Sequence, residues 1–388
     1  MSARDESLLL AGGRVVTPDG VIDGGWVHVA GPTIVAVGAG DRPPASAIVD
    51  LEGAWLVPGF VDLHMHGGGG HNVAESRAAM AAAVAFHRDH GTTSTLVSLV
   101  TAPVDALQRQ LRWVAELARR GDDAGPRVLG AHLEGPFLST LRCGAQNASF
   151  MLAPDVDVLE RLLEAGDGCV RVVTIAPELD GALALVRRLR AVGVVVALGH
   201  SDASYEQGIA AVRAGASLAT HLFNGMRPLH HRDPGLVAAS LHAQIACELI
   251  GDGIHLHPAV VALVNASIPR PVLITDAIDA AGVGEGLFDL GGQRVRVVGR
   301  EARLERNGSL AGSTLTMDDA VRRAVLDSGL SLVQACAAAA GNPAAVLGLD
   351  DTLGSVAPGQ RADLVVLDDD LRVRDVMTGG VWRTGTGS

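Results

Sequence analysis

Three observations predict a (β/α)8 TIM barrel joined to a small β-sandwich domain drawn from both ends of the chain. Eight short apolar runs alternate with amphipathic stretches from Val57 onward, the alternation a parallel barrel requires. The segments on either side of this repeat read as bare strands broken by Gly, Pro and Asp. The chain has 388 residues, of which 48% are apolar and 19% charged. A large buried core is therefore within reach and disorder is excluded.

The elements follow in order. Residues 1–57 hold the runs LLLAGGRVV, WVHVA, TIVAVG and AIVDL and form the first part of the small domain. The barrel, residues 58–354, takes its strands from VPGFVDLHMH, TSTLVSLV, RVLGAHLEGP, VRVVTIAPE, VVVALGHSD, LATHLFNG, IACELIGDGIHL and PVLITDAID. Between them lie helical stretches such as AAMAAAVAFHRDHG, VDALQRQLRWVAELARR, DVDVLERLLEAG and ALALVRRLRAVG. The tail, 355–388, is strand-like again (SVAPGQRADLVVLDDD, then VMTGGVWRTG). It rejoins the first segment, because both flank the barrel and chain termini often lie close together.

Composition removes several chemistries. All 31 basic side chains are arginine, so Schiff-base formation, a lysine general base and a carboxylated lysine bridging two metals are excluded. The net charge of −12 argues against a nucleic-acid partner, which needs a basic face. It leaves room for a small anionic substrate, since one arginine can hold a phosphate. Cys143, Cys169, Cys247 and Cys336 stand far apart with no CxxC pair, which fits neither a zinc ribbon nor a disulfide framework and suits a reducing compartment. The opening MSARDESLLLAGG has a four-residue apolar patch and does not read as a secretory signal. No apolar run approaches the ~18 residues of a membrane span. A cytoplasmic protein without a membrane partner is expected.

The polar residues at the strand ends point to function. The first run closes in His64 and His66, the third in Glu134, the fifth in His200 and the sixth in His221. The seventh closes in Asp252 and His255, the eighth in Asp276. In a TIM barrel the C-terminal strand ends converge on one face, so these groups can meet without tight sequence spacing. HxH places two imidazoles on the same side of a strand. Imidazole with carboxylate is a donor set for one or two divalent ions, with zinc the default and iron, manganese or cobalt the alternatives. With lysine absent, Glu134 is the candidate to bridge two ions. Asp276 can move protons beside an activated water, although an aspartate there also suits a helix N-cap. The loop after the sixth run, THLFNGMRPLHHRDPG, offers Asn224, the backbone at Gly225, and Arg232, whose guanidinium suits phosphate. His230, His231 and His71 read as loop residues. The Gly67–Gly70 run lacks GxGxxG spacing, and no GxSxG elbow or P-loop is present.

With PGFVDLHMHG, HLEGPFLS, LGHSDA, THLFNGM, RDPG, DGIHL, ITDAI, LAGSTLTMDDAV and GSVAPGQRADLVVLD in this order, the chain resembles the metal-dependent amidohydrolase superfamily over essentially its whole length. More narrowly it resembles the N-acetylglucosamine-6-phosphate deacetylase family. The first and last motifs are shared by many amidohydrolases, whereas HLEGPF and THLFNGM are far more specific to that family. The resemblance implies deacetylation of a sugar phosphate, metal ligation by Glu134, His200 and His221, and Asp276 as catalytic acid/base. His64 and His66 match a second, more buried metal site. The resemblance places Asn224, Gly225, Arg232 and His255 around the sugar phosphate and Ala145, Leu310, Ala311 and Gly312 along the sugar, and it suggests a homodimer. Gln146 stands where some members carry a histidine that polarises the amide carbonyl. It keeps a donor there but cannot carry charge. Cys143 lies in the same loop. The rival readings are a cyclic amidase or deaminase on the same scaffold and a non-catalytic scaffold with a decayed metal site. A decayed site would show substitutions among the six ligand and acid positions, and none is seen.

Overall fold

In the computed structural model, which describes residues 7–120 and 126–383, the eight predicted runs become eight parallel strands paired in sequence order. They are Phe60–Asp62, Thr92–Val100, Arg127–Glu134, Val170–Ile175, Val195–Leu198, Leu218–Ala219, Ala246–Ile250 and Pro271–Ile274. The circle closes at one point, where Met65 bridges Ala277 in parallel. There Asp276 N donates to His64 O at 2.8 Å and His66 N to Ala277 O at 2.7 Å. The closing seam is therefore part of the candidate site.

Each strand is followed by a helix whose apolar stripe faces the sheet. In Val104–Arg120, Leu107, Leu111, Val114 and Ala115 are buried while the arginines point outward, the three-and-four spacing of one helical face. Caps fix the starts: Ser76 Oγ accepts from Ala79 N, and Asp155 from Val158 N. Ser204 with Gln207 forms a reciprocal capping box.

The strands before and after the barrel share one mixed eight-strand sheet. Ser7–Thr17 pairs antiparallel with Gly20–Ala30, and parallel with Ala47–Asp50 near its start and Trp55–Pro58 near its end. Leu364–Leu367 from the tail lies antiparallel against Trp55–Pro58. Leu10, Val27, Ile34, Leu56, Leu364 and Met377 belong to one apolar cluster here. The outermost residues of both terminal segments, 1–6 and 384–388, lie outside the described residues, and the opening read for a secretory signal falls partly among them.

A three-stranded antiparallel sheet, Gly286–Leu290, Gln293–Val298 and Glu301–Leu304, is inserted between the eighth strand and its helix Met317–Leu326. Its Leu290, Val295, Val297 and Leu304 pack with Val100, Ile278 and Ala311, which brings it over the C-terminal mouth of the barrel. No helix among the described residues is long and apolar enough to cross a membrane. The four cysteines are free.

Candidate metal-dependent active site

His200, His221 and Asp276 each stand two residues beyond the last residue of a strand, after Leu198, Ala219 and Ile274. At each the backbone enters left-handed space, with φ of +45°, +28° and +49°. Such a conformation is uncommon outside glycine and concentrates at functional sites. Here it turns the chain sharply off the strand while the side chains stay over the barrel mouth.

Glu134 is the hub. Its Oε1 lies 2.9 Å from both His200 Nε2 and His221 Nε2, which are 3.1 Å from each other. On the other side, His64 Nε2 and His66 Nε2 are 3.1 Å apart. His66 Nε2 is 3.4 Å from Glu134 Oε2, and His64 Nε2 is 3.7 Å from Oε1. Asp276 Oδ1 completes this second set, 3.2 Å from His66 and 3.6 Å from His64. All six groups are buried.

Three of the four imidazoles have Nδ1 directed at an acceptor outside the cluster. His64 donates to Glu248 Oε2 (3.1 Å), His66 to Ser98 O (3.0 Å) and His200 to Arg142 O (2.9 Å). With the proton on Nδ1, each Nε2 points a lone pair inward. Protons on both members of a pair only 3.1 Å apart would meet head to head. The cluster nonetheless calls for positive charge, since Glu134, Asp276 and Glu248 are buried and none pairs with an arginine among the described residues. Burial works against charge on His66, but hydrogen bonds with Asp276 and Glu134 prevail and hold its pKa up to about 9. Burial also pushes the Asp276 carboxyl up, but the charge of His64 and the hydrogen bond with His66 hold it down to about 2. A divalent ion satisfies the same demand without the clash. Zinc with ligands at about 2.0–2.1 Å in tetrahedral array separates its donors by about 3.3 Å. The two donor sets, at 2.9–3.1 Å and 3.1–3.7 Å, bracket that value. Two triads that could hold a metal ion, His64 with His66 and Glu134, and Glu134 with His200 and His221, share the glutamate.

A cavity opens onto this cluster, and Ala145, Gln146, Asn224, Gly225, His255, Leu310 and Gly312 line it together with His66, Glu134, His200, His221 and Asp276, while His64 lies buried behind them. Asp252 Oδ2 accepts from His255 Nδ1 at 2.7 Å, and its Oδ1 accepts from the backbone N–H of Ile254 and His255. Burial lowers the His255 pKa, but the Asp252 hydrogen bond and charge outweigh it, and the net shift is upward. Gly225 has φ +59°, and a Cβ there would lie 2.9 Å from His200 Nδ1, so only glycine fits.

Two of the expected substrate residues lie apart from this wall. Ala311 is buried behind it, its N–H bonded to Ala302 O. Arg232 is exposed, its guanidinium 2.7 Å from His231 Nε2 rather than at the cavity. A loop arginine's direction depends on tertiary context, which local sequence does not carry. Conversely Glu248, Gly144, Val100 and Leu290 belong to the site without having been singled out. Glu248 had a signal, a lone acid inside the apolar run IACELIG. Val100 and Leu290 had none, because an apolar wall residue looks like core.

A model of the amidohydrolase family matches residues 55–383. The N-acetylglucosamine-6-phosphate deacetylase of Bacillus subtilis is 35% identical over 95% of this chain and 95% of its own. The chain belongs to the amidohydrolase family, among its N-acetylglucosamine-6-phosphate deacetylases. Such a deacetylase from Mycobacterium smegmatis, an aspartate-to-alanine mutant in complex with N-acetyl-D-glucosamine 6-phosphate, superposes with a TM-score of 0.92 at 44% identity. The match covers 97% of this chain and 99% of that one. An N-acetylgalactosamine-6-phosphate deacetylase from Escherichia coli O157:H7 is 38% identical over 95% of this chain and 97% of its own. This amidohydrolase therefore has relatives named for two sugars that differ at one carbon.

Proposed function

We propose that this enzyme hydrolyses the acetamide of N-acetyl-D-glucosamine 6-phosphate, giving D-glucosamine 6-phosphate and acetate. The observation that carries the reading is one cavity lined by His66, Glu134, His200, His221, Asp276 and His255, with His64 completing the second triad and Asp252 holding His255 from behind. Glu134, His200 and His221 would hold one divalent ion, and His64, His66 and Glu134 a second, with zinc the first choice. Such an ion makes water acidic and polarises a carbonyl oxygen. The chain's own groups do the rest. Asp276, ionised at neutral pH, takes a proton from the attacking water and delivers it to the amine nitrogen as the C–N bond breaks. Gln146 Oε1 accepts from Thr101 N and its Nε2 donates to Glu134, so the amide is held at the reacting end of the cavity.

His255, whose charged form Asp252 favours, the Asn224 amide and the backbone at Gly225 would take the phosphate. Ala145, Leu310 and Gly312 would border the sugar, with Ala311 supporting them from behind. In a homodimer the exposed Arg232 would serve the phosphate of the neighbouring subunit's site. We place the enzyme in the cytoplasm and read residues 1–57 and 355–388 as one unit beside the catalytic barrel, 58–354.

The test is acetate release from N-acetylglucosamine 6-phosphate and from the unphosphorylated sugar, before and after chelation and zinc re-addition. Loss on chelation, recovery on zinc and a strong preference for the phosphorylated sugar are expected. Release of ammonium, or indifference to the phosphate, would favour a deaminase or cyclic amidase instead. Absence of bound metal in purified protein would favour a scaffold. The Escherichia coli relative motivates N-acetylgalactosamine 6-phosphate as a second substrate in the same assay.

A further inference from the structure

Gln146 is buried to 4% exposure and held at both ends of its amide. Thr101 N–H donates to Oε1 at 2.8 Å, which decides that the NH2 end faces Glu134. That end donates to Glu134 Oε2 at 2.5 Å. The loop cannot carry it away easily: Gln146 N bonds Cys143 O, and Gln293 Nε2 donates to the neighbouring Ala145 carbonyl from the inserted sheet.

The consequence for Glu134 is asymmetric. Oε1 stays free and sits 2.9 Å from both His200 and His221. Oε2, the oxygen nearer His66 at 3.4 Å, already accepts a charge-assisted hydrogen bond, which draws off the electron density a metal would need. The amide thus orients the acid for one triad and weakens it for the other. We propose that Gln146 is a positioning residue that makes the two ion sites unequal, strengthening Glu134–His200–His221 and weakening His64–His66–Glu134. A histidine at this place could adopt another tautomer or rotate away, whereas a glutamine locked by Thr101 offers Glu134 a permanent donor.

This inference rests on the metal reading given above, and its test separates the two. The 388-residue chain, stripped by chelator, is titrated with zinc by calorimetry, with metal content measured in parallel, for the wild type and Gln146→Leu. The wild type should take one zinc tightly and a second more weakly. In Gln146→Leu the first affinity should fall about 10–100-fold, as for loss of an outer-shell partner. The second should rise about tenfold, so that the two constants converge. Both affinities falling together would mark a merely structural role and overturn the proposal, as would no change in either. A wild-type chain that takes up no zinc would overturn the metal reading and this inference with it. If Gln146→Leu does not fold, Gln146→Asn, whose shorter amide cannot span from Thr101 to Glu134, is judged by the same outcomes.

Discussion

His64 and Glu248 meet ring to carboxylate, Nδ1 to Oε2 at 3.1 Å, and neither is reached by solvent. Glu248 Oε2 also accepts from the backbone N–H of His221 at 3.2 Å. One acid beneath the site thus orients an imidazole on one triad and the chain bearing a ligand of the other. A carboxylate behind a ligating histidine sets its tautomer and basicity. Glu248→Ala is expected to weaken zinc at the His64–His66 triad by about 10–100-fold, read as metal retained against a competing chelator. Retention equal to wild type would remove Glu248 from the metal centre.

Asp276 is the group placed to move protons. Asp276→Asn keeps the size and the backbone bonds to His64 and Ser313 but removes the base. Acetate release should fall by about 10²–10⁴-fold, with folding unchanged. Near-normal turnover in this variant would move the proton-transfer role elsewhere.

The Asp252–His255 pair gives a pH signature. His255 has its pKa raised, so its positive charge persists to higher pH than an ordinary histidine's and is lost as pH rises through that raised value. KM for the phosphorylated sugar should climb on the alkaline side. In Asp252→Asn the climb should begin at lower pH, nearer the ordinary histidine value, with kcat changed less than KM. A pH profile of KM identical to wild type would separate His255 from phosphate binding.

His87 predicts a stability trend. It is fully buried, its Nε2 donating to Gly67 O at 2.8 Å and its Nδ1 without a partner. Burial is the main cause lowering its pKa from 6.5 to about 4. Between these values the unfolded chain binds the proton that the folded one refuses, so stability falls as pH drops through this window and levels off below about 4. The full effect is on the order of 3 kcal/mol. His87→Gln can keep the bond to Gly67 O and does not titrate. In urea unfolding from pH 7.5 to 4 its stability should therefore decline less steeply than wild type, and parallel curves would contradict the account.

The barrel was legible because its signals are local. Each of the eight apolar runs contains a strand, and the polar residues closing them point toward one mouth because every parallel strand ends there. The inserted sheet breaks the βα repeat and carries a different pattern. GLFDLGGQRVRVV alternates buried and exposed around a two-residue Gly-Gly turn, a hairpin signature lodged between a barrel strand and its helix. Arg232 and Glu248 mark the opposite limits. The exposed arginine's reach is decided by what packs beside its loop, whereas a buried glutamate in a strand announces a partner without naming it.

Left-handed backbone at His200, His221 and Asp276 has a consequence for descent. Each such residue carries about 1–3 kcal/mol of conformational strain, which glycine would relieve. Strain alone would draw a duplicate relieved of its chemical duty toward glycine at these three positions. Glycine at His200 or His221 would, however, strip buried Glu134 of an imidazole partner, so such a lineage grows sturdier only by losing the acid as well, and the ligand set decays as a unit.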